Sequence, residues 1–139
     1  MSPQDAVLAA NAAFYEAFAK QDLCAMDEVW AQDAPVACLH PGWRPLVGRP
    51  EVMTSWAVIL NGGNAPPVRY AAATAHVMGG FAYVLCTEDL PQGKLVATNV
   101  FILEGSAWKM VHHHASPMVT RPNPNPPPPP PPPRRRMVH

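Results

Sequence analysis

The first thirty positions of the chain alternate apolar and polar residues with the period of α-helices. Ser2, Pro3 and Asp5 have the residue types of a helix cap, a first helical position and a reciprocating third position. The helix they start is expected to reach about Lys20, with apolar side chains at Val7, Ala10, Phe14 and Phe18. A second helix is expected to begin at the capping residue Asp22, with an apolar side made of Leu23, Met26, Val29 and Trp30. The pattern therefore predicts two antiparallel helices at the start of the chain.

A short strand and a third helix are predicted next. The segment PVACLH, residues 35–40, is an apolar run, and the Pro- and Gly-rich PGWRPLVGRP ends it. The segment EVMTSWAVIL that follows has helical spacing through Val52, Trp56 and Ile59. Helix, helix, strand and helix are thus expected before the longest β segments begin.

From Val68 onward the pattern changes to strands joined by tight turns. Gly79-Gly80 and Gly105-Ser106 have the composition of two-residue hairpin turns. The strands are expected at about residues 68–78, 81–89, 94–104 and 107–116. Helices followed by a run of hairpins indicate an α+β fold, since a parallel sheet would alternate strands with helices.

The last hairpin contains three consecutive histidines, and its turn predicts which of them share a face. A two-residue turn at Gly105-Ser106 places Asn99 opposite His112 and Ala97 opposite His114. Alternate residues of a strand point to opposite sides of the sheet. One face is therefore expected to carry Asn99, Phe101, Leu103, Trp108, Met110, His112 and His114. The other is expected to carry Thr98, Val100, Ile102, Lys109, Val111 and His113.

The two faces differ in composition and therefore in expected role. The first mixes aromatic and polar side chains, as ligand pockets do. The second is rich in Val, Thr and Ile, which suit a flat surface packed on another sheet or a second subunit. If the loop LPQG, residues 90–93, keeps a four-residue register, Glu88 joins Asn99 on the first face, whereas an odd-length loop moves it to the second.

Composition narrows the class of protein further. The 139 residues suffice for one domain, expected at residues 1–119, and ten of the nineteen prolines fall in the remaining Pro/Arg-rich segment, which predicts a disordered tail. The domain has six Lys and Arg against ten Asp and Glu, a net charge of −4, which argues against nucleic-acid binding. No run is apolar enough for a membrane span and no secretion signal begins the chain, so a cytoplasmic protein without membrane partners is expected.

Three stretches of the chain resemble one known superfamily. They are the helix pair through VWAQDAPV, the segment HPGWRPLVGRPEVMTSW, and the segment ATNVFILEGSAWKMVHHHASP. Together, over residues 3–118, they resemble the SnoaL-like, ketosteroid-isomerase-like branch of the nuclear transport factor 2-like superfamily. The resemblance implies a cone-shaped, curved, mixed or antiparallel sheet wrapped around the N-terminal helices, with an internal pocket and a homodimer formed through the outer sheet face. That superfamily contains isomerases, dehydratases, hydrolases, cyclases and non-catalytic association domains, so the fold does not select an activity.

Enzymes of this superfamily use a buried carboxylate base, often with a histidine partner, and the chain offers four catalytic candidates. Glu88 is the candidate general base, because burial raises the pKa of a carboxyl group toward neutrality. His114 and His112 are candidates for proton transfer, and Asn99 for donating a hydrogen bond to an oxyanion. Each has a structural alternative: a histidine or asparagine satisfied by its core neighbours, and a solvated carboxylate at a strand end.

The ligand-binding candidates belong to the loop after the first strand and to the pocket-facing side of the last hairpin. His40 and Trp43 lie on the Pro- and Gly-rich loop, where binding residues concentrate. Trp43 is expected either to cover the pocket mouth or to plug the open end of the cone. Phe101 and Met110 are expected to form apolar walls inside the pocket. A small apolar molecule is the expected ligand.

No metal and no other cofactor is predicted, because adjacent histidines of a strand point to opposite faces and cannot bind one ion from the same side. A metal site would need His112 and His114 together with a third ligand, for which His40 and Glu88 are the candidates. Two function classes stay open. One is an acid/base enzyme for isomerisation, dehydration or hydrolysis, and the other is a non-catalytic binding or dimerisation module with structural histidines.

Overall fold

The computed structural model describes residues 1–63, 67–118 and 128–132, and three helices form where the apolar period predicts them. These are α1 (Pro3–Ala19), α2 (Leu23–Val29) and α3 (Arg49–Asn61). Ser2 accepts a hydrogen bond from the Asp5 N–H while the Asp5 carboxylate accepts from the Ser2 N–H, so the predicted capping box is confirmed. Asp22 caps α2 through the Ala25 N–H, as predicted.

Six strands form one mixed sheet, which confirms the predicted α+β class. They are β1 (Ala37–Leu39), β2 (Leu46–Val47), β3 (Arg69–Met78), β4 (Phe81–Leu90), β5 (Gly93–Glu104) and β6 (Ala107–Pro117). Their order across the sheet is β2-β1-β6-β5-β4-β3, with β1 and β6 parallel and the other neighbours antiparallel. The sheet is not closed, because β2 and β3 remain as its two edges.

Helix α1 lies across one side of the sheet, where it packs against β3, β4 and β6. This side is called the inner face, and the opposite side the outer face. Fully buried large side chains fill the space between the helices and the inner face: Phe14, Met26, Trp30, Trp56, Phe101 and Met110. The predicted arrangement of a sheet wrapped around the N-terminal helices is confirmed, and the core coincides with the side on which the polar residues of the next subsection converge.

Next to each hairpin turn, the register of the strands is the one that the sequence predicts. Gly79 and Gly105 have φ values of 60° and 68°, the left-handed conformation that two-residue hairpin turns require. The loop between β4 and β5 keeps the four-residue register, since Glu88 pairs with Leu95 and Leu90 with Gly93. The conditional prediction that Glu88 lies on the face of Asn99 is confirmed, because both side chains are buried on the inner face.

The predicted register of β6 is wrong beyond Met110, because the strand contains a β-bulge. Phe101 pairs with Met110 as predicted, but Val100 pairs with His112, so Val111 is an extra residue on β6. From His112 onward, each side chain of β6 therefore lies on the face opposite to the predicted one, whereas the residues of β5 keep their predicted faces. His113 points inward and is 2% exposed, whereas His112 and His114 lie on the outer face.

Helix α3 is anchored to the chain preceding β1 by Arg49. Its guanidinium group donates to the carbonyl oxygens of Trp30 and Ala31 at 3.1 and 2.8 Å. It also contacts the carboxylate of Asp27 at 2.6 Å. These bonds fix the start of α3, the helix that carries Ser55 and Trp56 to the inner face.

The predicted Pro/Arg-rich tail, residues 120–139, lies outside the described residues except for residues 128–132, which are exposed and belong to no helix or strand. Within the described ranges, no helix combines the length and apolarity needed to cross a membrane.

Candidate functional site

Six buried side chains meet on the inner face and form the feature called here the polar cluster. Helix α1, the central strands β4 and β5, and the bulged strand β6 supply them: Asn11, Tyr15, Cys86, Glu88, Asn99 and His113. Buried polar groups are costly unless they bond one another. Because residues of both ends of the chain contribute, the cluster exists only in the folded molecule.

Asn99 is the centre of the hydrogen-bond network. Its amide nitrogen donates to Asn11 Oδ1 at 2.8 Å and to the Tyr15 hydroxyl at 3.2 Å. Its Oδ1 lies 2.6 Å from His113 Nδ1. Since that oxygen can only accept, His113 Nδ1 carries the proton and Nε2 keeps a free lone pair.

The free lone pair of His113 faces the carboxyl group of Glu88. His113 Nε2 lies 3.9 Å from Glu88 Oε2, and the Tyr15 hydroxyl donates to the same oxygen at 2.5 Å. Burial raises the pKa of the Glu88 carboxyl, and the Tyr15 hydrogen bond offsets only part of that rise. Burial also lowers the pKa of His113 to about 3. A carboxyl group that holds its proton to higher pH thus sits beside a neutral imidazole with a vacant acceptor nitrogen.

Tyr15 and Asn11 complete the donor side of the cluster. Burial and the nearby Glu88 raise the pKa of Tyr15, so its hydroxyl stays protonated and remains a donor. That hydroxyl also lies 3.4 Å from Cys86 Sγ. Asn11 Nδ2 is buried and has no hydrogen-bond partner among the described residues. Leaving a buried amide donor unpaired costs about 1–3 kcal/mol of folding stability. Such unfavourable groups are expected at functional sites rather than in purely structural cores.

A second, smaller polar group lies nearby on the loop side. His40 Nε2 is 2.9 Å from Ser55 Oγ, and that hydroxyl donates to the Val52 carbonyl at 2.7 Å. Because the Ser55 hydroxyl donates its proton to Val52, the Ser55 oxygen acts as the acceptor for His40, and His40 Nε2 is the donor. Burial lowers the pKa of His40 to about 4. The His40 and His113 rings are 6.3 Å apart between centroids.

Trp43 lies over the His40 ring at 4.9 Å and is 43% exposed. With Ser55 and residues of α3 it borders a surface cavity of about 390 Å³. Phe101 and Met110 are fully buried in the core. His40, Trp43, Phe101 and Met110 thus surround the interior from two sides, and their predicted role in binding a ligand stays a prediction.

Of the four catalytic candidates, the fold brings Glu88 and Asn99 together and excludes the two histidines. His112 and His114 lie across the sheet from Glu88, because the bulge at Val111 reverses the faces. The metal site considered from the sequence, with His112 and His114 joined by His40 or Glu88, is therefore geometrically impossible. Among the described residues, no group of three His, Cys, Asp or Glu side chains is close enough to hold a metal ion.

Asn11, Tyr15 and the inward position of His113 were not among the features predicted from the sequence. A signal for the first two was present, because Val7, Asn11 and Tyr15 repeat at four-residue spacing and so lie on one side of α1. Polar residues at core spacing indicate an internal polar partner. Nothing in the residues around Val111 marks a bulge.

Access to the cluster is closed in this conformation. Glu88 is 2% exposed and Asn99 is fully buried. A surface cavity of about 330 Å³ reaches the other side of Tyr15, where Tyr70 stacks on the Tyr15 ring at 4.7 Å. Tyr15 therefore connects this cavity with Glu88.

Acidification from pH 7 to pH 4 is expected to destabilise the fold. In this range His40 and His113 stay largely neutral in the folded chain, whereas the same two histidines become protonated in the unfolded chain. Their folded pKa values are about 4 and about 3, against 6.5. Their contribution is complete above pH 6.5 and lost as the pH falls toward those values, at most about 1.4 kcal/mol per pH unit for each proton. The raised pKa of Glu88 acts in the opposite direction above its ordinary value of 4.5, so it offsets part of this loss there.

Urea unfolding between pH 7.5 and pH 4 measures this dependence. His113→Gln is expected to lower the pH slope, and His76→Gln, at an exposed ring of the outer face, is the matched control. A His113→Gln slope equal to that of the unmodified protein would contradict a buried neutral imidazole.

Comparison with known proteins agrees with this architecture. Residues 7–120 match the family model described as the SnoaL-like domain. The chain is similar to the structure of a candidate dehydratase of the NTF2-like family from Streptomyces avermitilis, with 36% identity, a TM-score of 0.74, and coverage of 84% of this chain and 96% of that one. It is also similar to a candidate calcium/calmodulin-dependent protein kinase type II association domain from Thiobacillus denitrificans, with 34% identity, a TM-score of 0.73, and coverage of 81% and 94%.

A curated relative is the F-box protein SKIP8 of Arabidopsis thaliana, 27% identical over 116 residues, which are 82% of this chain and 50% of that protein. The chain thus spans about half the length of this relative. The family match covers most of the domain, and the helix and sheet order agrees with it. The chain therefore belongs to the SnoaL-like domain family of the NTF2-like superfamily.

Proposed function

We propose that the chain binds a small apolar molecule beside the polar cluster and moves a proton on it through Glu88 and His113. The observation that carries this proposal is the buried Glu88 carboxyl, held between the Tyr15 hydroxyl and the free Nε2 of His113. Pairs of titratable groups whose environments shift their pKa values are typical of acid/base sites. The reaction class is isomerisation, dehydration or hydrolysis of a substrate with few polar atoms.

The residues have distinct roles in this proposal. Glu88 takes the proton from one atom of the substrate and returns it to another. The neutral Nε2 of His113 faces the Glu88 carboxyl as a hydrogen-bond acceptor. The Tyr15 hydroxyl and the unpaired Asn11 Nδ2 are donors for a substrate oxygen on which charge develops. Asn99 holds His113 in the tautomer that leaves Nε2 free, so it is a positioning residue.

The ligand reaches the cluster from the cavity beside Tyr15 and Tyr70. That cavity is lined by Ala12, Glu16 and Ala19 of α1 together with Val68, Arg69 and the two tyrosine rings. Displacement of Tyr70 frees Tyr15 to move, and Tyr15 is the group that covers Glu88 on this side. Similarity to a candidate dehydratase at 36% identity supports a reaction of this class.

NMR signals of the His113 ring are expected to shift when one member of a panel of small apolar carbonyl and epoxide compounds is added. Tyr70→Ala is expected to strengthen or accelerate that response, because it opens the covered side of Tyr15. Tyr83→Ala removes an equivalent stack, that of Tyr83 on His76 at 4.7 Å on the outer face, and is the matched control. A panel that leaves His113 unchanged in both the original protein and Tyr70→Ala contradicts the proposal.

The second candidate is a non-catalytic dimerisation or ligand-binding module. Closure of the polar cluster, with Glu88 and His113 each 2% exposed, favours it, as does similarity to a candidate association domain.

For either candidate we propose a homodimer through the outer face. The centre of that face is uncharged and carries exposed apolar side chains, including Leu85 and Val96 at 41% exposure each. The three cysteines are free and support a reducing, cytoplasmic location.

A further inference from the structure

The bulge at Val111 places two histidines side by side on the outer face. His112 and His114 are alternate residues of β6, and their ring centroids are 6.3 Å apart with the planes at 85°. His114 is exposed and His112 is half-buried. Alternate residues of one strand project in the same direction, so both imidazoles are available to one ligand approaching the sheet from outside. Neither ring belongs to the polar cluster.

None of the four residues that pair directly with these two histidines on the neighbouring strands is charged. Ala37 and Val100 flank His112, while Leu39 and Thr98 flank His114. Ala37, Leu39 and Val100 are apolar, so another surface can approach closely, and none of the four flanking side chains carries a charge that would repel a cation. The pair lies on β6, which has two strands on one side and three on the other, so it is near the middle of the sheet.

We propose that His112 and His114 form half of a transition-metal site, which the same two histidines of a second copy of this chain complete. The proposal rests on the outer-face homodimer proposed above. Imidazole nitrogens are suitable ligands for Zn²⁺, Cu²⁺ and Ni²⁺. Four of them satisfy the tetrahedral preference of Zn²⁺ at about 2.0–2.1 Å.

A second copy is required because one chain lacks the remaining ligands. The described residues contain no group of three metal-binding side chains within reach of one another. A two-fold axis repeats whatever surface it crosses, so an axis passing near β6 brings two histidine pairs together. A bound ion would thereby join the two copies.

The test is a Co²⁺ and Zn²⁺ titration of the untagged full chain, combined with sedimentation with and without metal. The expected stoichiometry is one ion per two chains, with the intense visible absorption of tetrahedral Co²⁺ and a dimer that tightens at least tenfold when Zn²⁺ is added. His112→Ala and His114→Ala are each expected to weaken metal binding about 100-fold. Both positions are outside the core, so circular dichroism should show an unchanged fold.

His76→Ala is the matched control, since His76 is an exposed histidine of the same outer face but lies on edge strand β3. Binding of the metal that survives both His112→Ala and His114→Ala overturns the site. So does one ion per monomer without association. A metal-free dimer whose affinity is unaffected by Zn²⁺ supports the outer-face homodimer but overturns the metal bridge. These outcomes do not depend on the ligand response of His113, so failure here leaves the proposed function standing.

Discussion

Glu88→Gln is expected to lower the turnover of any compound that perturbs His113 by about 100- to 10,000-fold, the range for loss of a general acid or base. Glutamine has the size and shape of glutamic acid and keeps an acceptor for the Tyr15 hydroxyl, but it cannot exchange a proton. The stability of the variant relative to the original protein should rise as the pH rises above 4.5. The reason is that the raised pKa of the buried Glu88 costs stability in that range.

Steady-state kinetics and urea unfolding on the same preparations separate the two effects. Asp89→Asn is the matched control, because Asp89 is the next residue, its side chain is 43% exposed, and it forms an ion pair with Lys94 at 3.5 Å outside the polar cluster. Turnover that survives Glu88→Gln would exclude Glu88 as the proton-transfer group. A protein with no turnover of any compound, and with only its stability changed by the substitution, would favour the non-catalytic candidate.

Trp56→Ala is expected to lower the free energy of unfolding by about 3–5 kcal/mol, the usual cost of truncating a fully buried tryptophan. The Trp56 ring is completely buried and packs edge-on against Phe14 at 5.4 Å and His40 at 4.8 Å. Its removal leaves a cavity between α1, α3 and the two polar groups of the inner face.

Chemical denaturation measures the loss, and two further variants identify its cause. Trp43→Ala, at a ring that is 43% exposed, should cost no more than about 1 kcal/mol. Trp56→Phe should cost less than Trp56→Ala, because it keeps most of the packing and removes the indole N–H, which has no hydrogen-bond partner in the described part of the chain. Equal losses for Trp43→Ala and Trp56→Ala would mean that Trp56 does not organise the core.

The features of the fold that depend on local chemistry were predictable from the sequence. Ser2 and Asp22 define helix starts by side-chain hydrogen bonds to nearby amides, and Gly79 and Gly105 define turns by their positive φ. These two turns fixed the register of the β3–β4 and β5–β6 hairpins next to each turn, and the inward position of Glu88 followed from counting residues across the four-residue loop between β4 and β5. Each of these conclusions rests on contacts within a few residues of the chain.

The site was only partly predictable because its remaining members depend on long-range packing. The bulge at Val111 needs neither glycine nor proline, so a count from the turn at Gly105 gives the wrong face for every residue after it. Asn11 and Tyr15 bond to Asn99 from the other end of the chain, and only the tertiary fold makes them neighbours.

The run of three histidines has a consequence for how this strand tolerates insertions and deletions. With the bulge, His113 faces Asn99; counted without it, His112 would occupy that position. Loss of Val111 would leave the same pairing of Asn99 with His113 in a regular strand. Because histidine occupies all three positions, an imidazole lies opposite the Asn99 amide whether β6 gains or loses one residue before the run. A lineage carrying such a run can change the length of β6 while preserving the central hydrogen bond of its interior.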